Sequence, residues 1–238
     1  MRYWNKALTL TTGCSKISEA CKFCWAETNH NRFMRRANKK YDHDFSEVRV
    51  HPENIGIIDK SRKPKTFSVW NDACHNAVTD TVLDLLFEAI NRNPQHTYLI
   101  CTKRPERMAK YFNRAENYKF IAHTHKIFLG TTVESPDVLW RIGELLKCKP
   151  FELFLSVEPM LSNIKIPQEQ LKQIDYVIAG CESGHHSRET KTAWVEDLMG
   201  QCLDANTLLW VKQLKINGKM VYEHSLSTIK REDLWENQ

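Results

Sequence analysis

Residues 151–182, FELFLSVEPMLSNIKIPQEQLKQIDYVIAGCE, decide the fold class of this chain. They contain two continuous apolar runs, at residues 151–157 and 176–179, with a more polar, helix-compatible segment between them. Continuous apolar runs of this length are typical of strands buried on both faces, as in a parallel sheet. The stretch therefore predicts one strand–helix–strand unit of an α/β fold.

The same pattern recurs along the chain. Helical patterns with one apolar face, such as residues 79–91 and 193–203, separate the runs. The sequence thus predicts an α/β fold, a single-domain partial β/α barrel of about six to seven parallel strands spanning residues 1–238. The apolar runs occupy residues 8–12, 66–70, 97–101, 127–132, 151–157, 176–179 and 208–211.

Composition restricts the class of protein. The chain is 42% hydrophobic and 26% charged, and it has no apolar run of the length, about 20 residues, that a membrane span needs. Residues 1–14 lack the pattern of a secretory signal, so we expect a cytoplasmic protein that does not contact a membrane. In a reducing compartment its eight cysteines favour a metal site over disulfides. A net charge of +5 allows an anionic partner.

Polar residues follow every predicted strand. Because the carboxyl ends of parallel strands meet on one face of a barrel, we expect these side chains to line one cavity. The alternative is that each of them only caps a neighbouring helix. The residues in question are Cys14, Asn71, Asp72, Thr102, Lys103, Arg104, Glu134, Glu158, Glu182, Lys212 and Gln213, and Cys181 lies at the same strand end as Glu182.

Three cysteines lie close together directly after the first predicted strand. Cys14, Cys21 and Cys24 form a C-x6-C-x2-C cluster in a loop at residues 13–25. Three thiolates can hold a 4Fe-4S cluster and leave one iron open for a ligand. Alternatively the site binds zinc, with His30 or the Cys74/His75 pair as fourth ligand. Three inert buried cysteines are the remaining possibility.

Phe23, directly before Cys24, gives the loop a resemblance to the radical S-adenosylmethionine enzymes. Their C-x3-C-x-aromatic-C loop also follows the first strand of a partial β/α barrel, although here six residues replace three between the first two cysteines. The resemblance implies that the three cysteines ligate a 4Fe-4S cluster, which an electron donor reduces. It also implies that Phe23 lies against the adenine of S-adenosylmethionine.

The same resemblance assigns further cofactor contacts. Asn71 and Asp72 follow the second strand, where these enzymes bind the methionine amine, although their usual Gly-Gly-Glu is missing. Glu134, after the fourth strand, stands where a ribose contact is expected. Asn71, Asp72 and Glu134 are therefore the predicted cofactor-binding residues beside Phe23.

A second resemblance covers nearly the whole chain. The ordered motifs WNKALTLTTGCSKISEACKFCWAE, SRKPK, NDACH, CTKRPERM, LGTTVES, FLSVEPML, VIAGCESG and LWVKQ are similar to a three-cysteine family of conserved bacteriophage and prophage proteins. The chain departs from that family at Trp25, where tyrosine is common, and at Cys181, where a second glycine is expected. The resemblance implies a phage protein acting in the host cell cytoplasm.

Basic residues indicate the substrate. Lys103 and Arg104 follow a strand on the predicted cavity face, where both can bind phosphate, so we expect a nucleotide or nucleic acid substrate. The basic residues Arg35, Arg36, Lys63 and Lys65 would then extend a phosphate track. Alternatively, Lys103 and Arg104 bind the carboxylate of a small metabolite, or pair with Glu134 or Glu158 inside the barrel mouth.

Two functional hypotheses remain open. The first is an iron-sulfur enzyme of radical S-adenosylmethionine type that modifies or repairs a nucleotide or nucleic acid, with Glu158, Glu182 and Cys181 as catalytic residues. In it Cys181 donates hydrogen, and His185 and His186 are either proton carriers or an exposed loop. The second is a zinc-stabilised phage protein that binds nucleic acid or a partner without catalysis.

Overall fold

The computed structural model describes residues 2–114, 126–183, 187–222 and 224–235, and an eight-stranded sheet is its main feature. The strand order in the sheet follows the order along the chain. In sheet order the strands are β1 (Lys6–Thr9), β4 (Thr66–Trp70), β5 (Thr97–Thr102), β6 (Ile127–Thr132), β7 (Glu152–Val157), β8 (Tyr176–Gly180), β9 (Leu208–Ile216) and β10 (Lys219–Tyr222).

Within this sheet, neighbouring strands from β1 through β9 all pair in parallel, as the apolar runs predict. The sheet has eight strands rather than six to seven, because β10 returns antiparallel along β9. Asn217 and Gly218 form the turn between them, with φ of 50° and 75°. An Asn-Gly pair is a strong hairpin signal, because both positions need positive φ.

Helices cover one face of the sheet. In α4 (Asp80–Arg92), Thr79 caps the first turn by accepting a hydrogen bond from the Val82 amide, and Leu83, Leu86 and Ile90 are buried. Such an apolar stripe forms a helix because it can pack against the sheet. The other helices outside the loop region are α5 (Pro105–Phe112), α6 (Trp140–Leu146), α7 (Gln168–Leu171) and α8 (Thr192–Ala205).

The opposite face of the sheet has its own apolar cluster. Phe128, Phe154 and Ile178 project to this side, and Trp235 packs against the first two with ring centroids 4.9 and 5.3 Å away. The indole of Trp235 also donates a 2.9 Å hydrogen bond to the Tyr3 carbonyl. Trp235 thereby fills this face near the amino ends of the strands and leaves the carboxyl ends open.

The segment between β1 and β4 crosses the carboxyl ends of the strands. It contains a short antiparallel pair, β2 (Thr11–Thr12) with β3 (Arg49–Val50). The helical parts are α1 (Trp25–Asn29), continued by π-helical turns over His30–Met34, then α2 (Arg35–Ala37) and α3 (Gly56–Asp59). This segment carries the predicted cysteine loop.

No helix in the described part of the chain is both long enough and apolar enough to cross a membrane.

Candidate functional site

A cavity of about 950 Å³ opens at the carboxyl ends of the parallel strands. Every predicted site residue except Glu134 lines it. The strands contribute their last residues and the residues that follow, and the cysteine loop forms the facing wall. From the strand ends come Trp70, Asn71, Asp72, Thr102, Lys103, Arg104, Thr132, Ser156, Glu158, Cys181 and Glu182, and the middle of β9 adds Lys212 and Gln213.

The cysteine loop turns away from β2 at Gly13. Its φ is +77°, and a Cβ there would lie 2.3 Å from the Glu47 carbonyl oxygen, so only glycine fits this turn. Cys14 then donates its amide to the Phe45 carbonyl at 2.8 Å. The loop start is therefore fixed by backbone contacts.

Asn71 anchors the same region from β4. Its amide nitrogen donates to the Thr11 hydroxyl at 3.0 Å, and its side-chain amide donates to the Thr11 and Gly13 carbonyls at 3.2 and 3.4 Å. The predicted cofactor contact Asn71 thus holds the strand that leads into the cysteine loop.

The three loop thiols share the cavity. Cys14, Cys21 and Cys24 are free and half-buried. Among the residues that the structure describes, no group of three His, Cys, Asp or Glu side chains is close enough to form a ready metal site. The chemistry of the donor set nevertheless fits an iron-sulfur cluster, because three free thiols on one loop are its usual ligand type.

The thiols differ in acidity. Burial and the nearby Asp72 carboxylate raise the pKa of Cys14 to about 11, against the opposing effect of Arg104. Burial also raises the pKa of Cys21, but a backbone hydrogen bond at Ile17 and the charge of Lys103 outweigh it, so the pKa is lowered overall. Cys21 is therefore the thiol that deprotonates more readily.

We expect this difference to appear in alkylation of the metal-free protein. Near pH 8, a pKa two units above the usual value cuts the thiolate fraction of Cys14 about 100-fold, and the higher nucleophilicity of a basic thiolate recovers about tenfold. Cys21 should thus react with iodoacetamide at least about tenfold faster than Cys14. Peptide mass mapping over time measures both rates, and equal rates would contradict the assignment.

Asp72 and Arg104 form a nearly buried network that joins two strand ends to the cysteine loop. Arg104 Nη1 lies 2.5 Å from Asp72 Oδ2, and the Thr102 hydroxyl donates to Asp72 Oδ1 at 2.6 Å. Arg104 Nη2 also donates to the Ser15 hydroxyl at 2.7 Å. The guanidinium of Arg104 thus positions the loop. It donates its hydrogen bonds to protein atoms, namely Asp72 and Ser15.

The other acidic residues at the strand ends also form ion pairs with basic side chains. Lys212 Nζ lies 2.9 Å from Glu158 Oε1. Arg188 Nε donates to Glu182 Oε2 at 3.0 Å, and Arg188 Nη2 donates to the Glu19 carbonyl of the cysteine loop at 3.0 Å. Glu158 and Glu182, which the sequence places after successive strands, therefore each form an ion pair.

Glu134 lies outside the cavity. Its Oε2 accepts a 2.9 Å hydrogen bond from Arg141 on α6, and the two side chains are only 1% and 2% exposed. Arg141 also donates to the Thr132 carbonyl at 2.9 Å. Arg141 lies in the first turn of α6, and its ion pair holds the Glu134 carboxylate away from the cavity. This geometry does not place Glu134 against a ribose.

Lys103 differs from Arg104. It lines the cavity and has no ion-pair partner within the described residues. Of the basic run at residues 32–40, Arg32 faces the same cavity, whereas Arg35 pairs with Asp44 at 3.3 Å outside it. Lys103 and Arg32, with Arg2 and Lys22, are therefore cavity cations for which no ion pair is present among the described residues.

The possible zinc ligands lie in different places. His30 is buried directly after α1, at the start of the π-helical turns, where its Nε2 contacts the His43 carbonyl at 2.8 Å. His75 Nε2 lies 2.9 Å from the hydroxyl of Ser15, next to Cys14, whereas Cys74 is buried. Of the predicted fourth ligands, His75 is the one beside the cysteine loop. His185 and His186 lie outside the described residues.

Aromatic residues form a wall that the sequence interpretation did not include. Trp4, Trp25 and Trp70 line the cavity together with Tyr3 and Tyr222. Trp70 packs edge-to-face with both Trp4 and Trp25, with centroids 5.0 Å apart in each pair. A tryptophan at the very end of β4, on the predicted cavity face, is the signal that could have indicated this wall.

These features define an α/β protein with a cysteine-bearing cavity at the carboxyl ends of a mostly parallel sheet. The chain belongs to the family described as "Protein of unknown function (DUF5131)", whose model matches residues 1–232. No curated protein and no solved structure matches the chain.

Proposed function

We propose that the protein is an iron-sulfur enzyme of radical S-adenosylmethionine type, built on an open β/α barrel, which modifies or repairs a nucleotide or nucleic acid. One observation carries this proposal: three free thiols of a single loop open into the cavity that the strand ends also line. The similarity of the sequence motifs to bacteriophage and prophage proteins favours a phage protein acting in the host cytoplasm.

Cys14, Cys21 and Cys24 would hold the 4Fe-4S cluster, and the lowered pKa of Cys21 favours the thiolate that ligation needs. When bound and reduced by an electron donor, the cluster supplies the electron that cleaves S-adenosylmethionine to methionine and a radical that takes hydrogen from the substrate. Phe23 lies on the cavity rim, 37% exposed, where an adenine can stack on it.

Other side chains prepare the cavity for such chemistry. The network of Asp72, Arg104 and Ser15 keeps the loop fixed against the strand ends. Burial raises the pKa of Cys181, so its thiol keeps its hydrogen near neutral pH and can donate it inside the cavity. Lys103 supplies an available positive charge for a phosphate.

The ion pairs of Glu158 and Glu182 define what these two predicted catalytic residues can do. Glu158 and Glu182 face Lys212 and Arg188, so these carboxylates position basic groups and loops. Their proposed contribution to catalysis is therefore to shape the cavity. Because basic side chains compensate the negative charge of Glu158 and Glu182, these two carboxylates repel an anionic substrate less.

Metal content tests the proposal. Protein purified without oxygen should be brown, with broad absorption near roughly 400 nm and about four irons per chain. After reduction it should convert S-adenosylmethionine to 5'-deoxyadenosine, measured by chromatography. Brown protein that neither binds nor cleaves S-adenosylmethionine would remove the radical mechanism and leave an iron-sulfur site only.

A zinc-stabilised binding protein is the second candidate, because His75 stands beside the loop and could complete a four-ligand site. Colourless protein with one zinc per chain would decide for this candidate. His75→Ala should then release the zinc, whereas the same change should leave iron loading intact if the cluster is present.

A further inference from the structure

Two large aromatic side chains are exposed on the cysteine loop. Trp25 is 46% exposed and Phe23 is 37% exposed, and both line the cavity. Across the opening, Tyr222 of β10 is also exposed. Exposed aromatic side chains that line one cavity indicate a binding site, because leaving apolar rings in contact with water is energetically unfavourable.

Trp25 is held in place although it is exposed. Its ring meets Trp70 at an interplanar angle of 69°, and Trp70 meets Trp4 at 88°. Edge contacts of this kind fix the ring on one side. The exposed fraction of Trp25 leaves a surface on which another planar group can stack.

Basic side chains line the same cavity as this ring. Lys22, Arg32 and Lys103 line the cavity, and none of them has an ion-pair partner among the described residues. Two other cations of the same cavity are compensated, because Arg104 pairs with Asp72 at 2.5 Å and Lys212 pairs with Glu158 at 2.9 Å. The cavity therefore favours an anion that also has a planar aromatic part.

Arg32 and Trp25 share one side of the helical segment. They are seven residues apart along α1 and the π-helical turns that continue it, about two helical turns, and both face the cavity. Lys22 lies beside Phe23, with its Nζ 5.7 Å from the ring centroid. Aromatic rings alternating with cations are the arrangement that binds single-stranded nucleic acids, with bases on the rings and phosphates on the cations.

The position of the cavity, between the strand ends and the cysteine loop, selects against a duplex. A base inside a double helix cannot reach a pocket that lies behind a loop, so the target nucleotide must be unpaired or flipped out. At about 950 Å³ the cavity is at the upper end of ordinary ligand sites, so one nucleotide fits beside a second small molecule.

From this geometry we infer that the cavity binds an unpaired nucleotide within a single-stranded nucleic acid. The base stacks on Trp25, and the flanking phosphates lie along Lys22 and Arg32. The inference rests on the proposed function, since it names the substrate class of the same cavity. Phe23 remains the contact for the adenine of S-adenosylmethionine.

Equilibrium binding by fluorescence anisotropy tests the inference. With labelled strands of about 12 nucleotides in about 50 mM salt, the full chain should bind single-stranded DNA or RNA at least about tenfold more tightly than a duplex of equal length. Trp25→Ala should weaken that binding about 5- to 150-fold, and Trp25→Phe should keep most of it. Arg32→Ala should lower the slope of log affinity against log salt by about 0.7.

Trp140→Ala is the matched control. Trp140 is 52% exposed on α6 and lies outside the cavity, so its loss should leave affinity unchanged. Equal affinity for duplex and single strand, or no effect of Trp25→Ala, would overturn the inference. A free mononucleotide that binds as tightly as the strand would overturn it as well and identify a small-molecule substrate.

The same preparation separates this inference from the proposed function. Iron content and S-adenosylmethionine binding are measured beside the anisotropy. A protein with cluster and cofactor but no affinity for single strands keeps the enzyme proposal and loses this inference. A protein that binds single strands through Trp25 without iron supports the stacking site, and the radical mechanism then fails.

Discussion

Cys21→Ala is expected to leave the protein without its iron-sulfur cluster, and Cys14→Ala and Cys24→Ala should do the same. The three loop thiols are the proposed ligands, so the loss of one leaves two of them for a four-iron cluster. Iron should fall from about four per chain to near zero, with loss of the absorption near roughly 400 nm. Iron and sulfide assays after anaerobic reconstitution provide the measurement.

Three other cysteines provide matched controls. Cys74, Cys148 and Cys202 are buried, and none of them lines the cavity. Alanine at any of these positions should leave iron loading unchanged, even where it lowers stability. Circular dichroism would show whether each variant is folded. Full iron content in a folded Cys14, Cys21 or Cys24 variant would sink the ligand assignment.

Glu134→Ala is expected to cause a large decrease in the free energy of unfolding. It leaves the guanidinium of Arg141, 2% exposed, without its carboxylate partner. Breaking a buried pair in this way costs about 3–5 kcal/mol, because the remaining charge stays buried and uncompensated. Against a total stability of about 5–15 kcal/mol, that is a large fraction. Urea unfolding at constant pH measures the change.

Glu144→Ala on α6 is the control for this prediction. Glu144 pairs with Lys147 at 2.6 Å on the exposed side of the same helix, so its removal should cost less than about 1 kcal/mol. The double change Glu134→Leu with Arg141→Met should recover most of the loss, since apolar groups can replace a buried ion pair. A loss below about 1 kcal/mol for Glu134→Ala would show that Arg141 finds another partner or solvent.

The strands could be predicted because the local sequence indicates which segments are buried. Continuous apolar runs mark strands covered on both faces, and the runs at 66–70 and 127–132 match β4 and β6 residue for residue. β10 was missed because it is a four-residue edge strand without a buried residue, although Asn217-Gly218 marked its turn. The shared cavity followed from the parallel arrangement, since the carboxyl ends of such strands must meet.

Side-chain partners were not accessible to the same reasoning. Glu134 and Glu158 occupy equivalent places after their strands, yet one faces Arg141 on a helix and the other faces the cavity with Lys212. That difference depends on how α6 packs, which spacing along the chain does not encode. Likewise, Tyr3 and Trp4 reach the cavity only because the segment before β1 lies beside distant strands.

The contact of Trp235 with Tyr3 has a consequence for biosynthesis. The two residues are 232 positions apart, so at about 5–20 residues per second the ribosome adds Trp235 roughly 10 to 50 seconds after Tyr3. The cysteine loop leaves the ribosome early in that interval, before the apolar packing beneath the cavity can form. Its thiols therefore stay unshielded until the chain is complete, and under the proposed function insertion of the cluster would follow that completion.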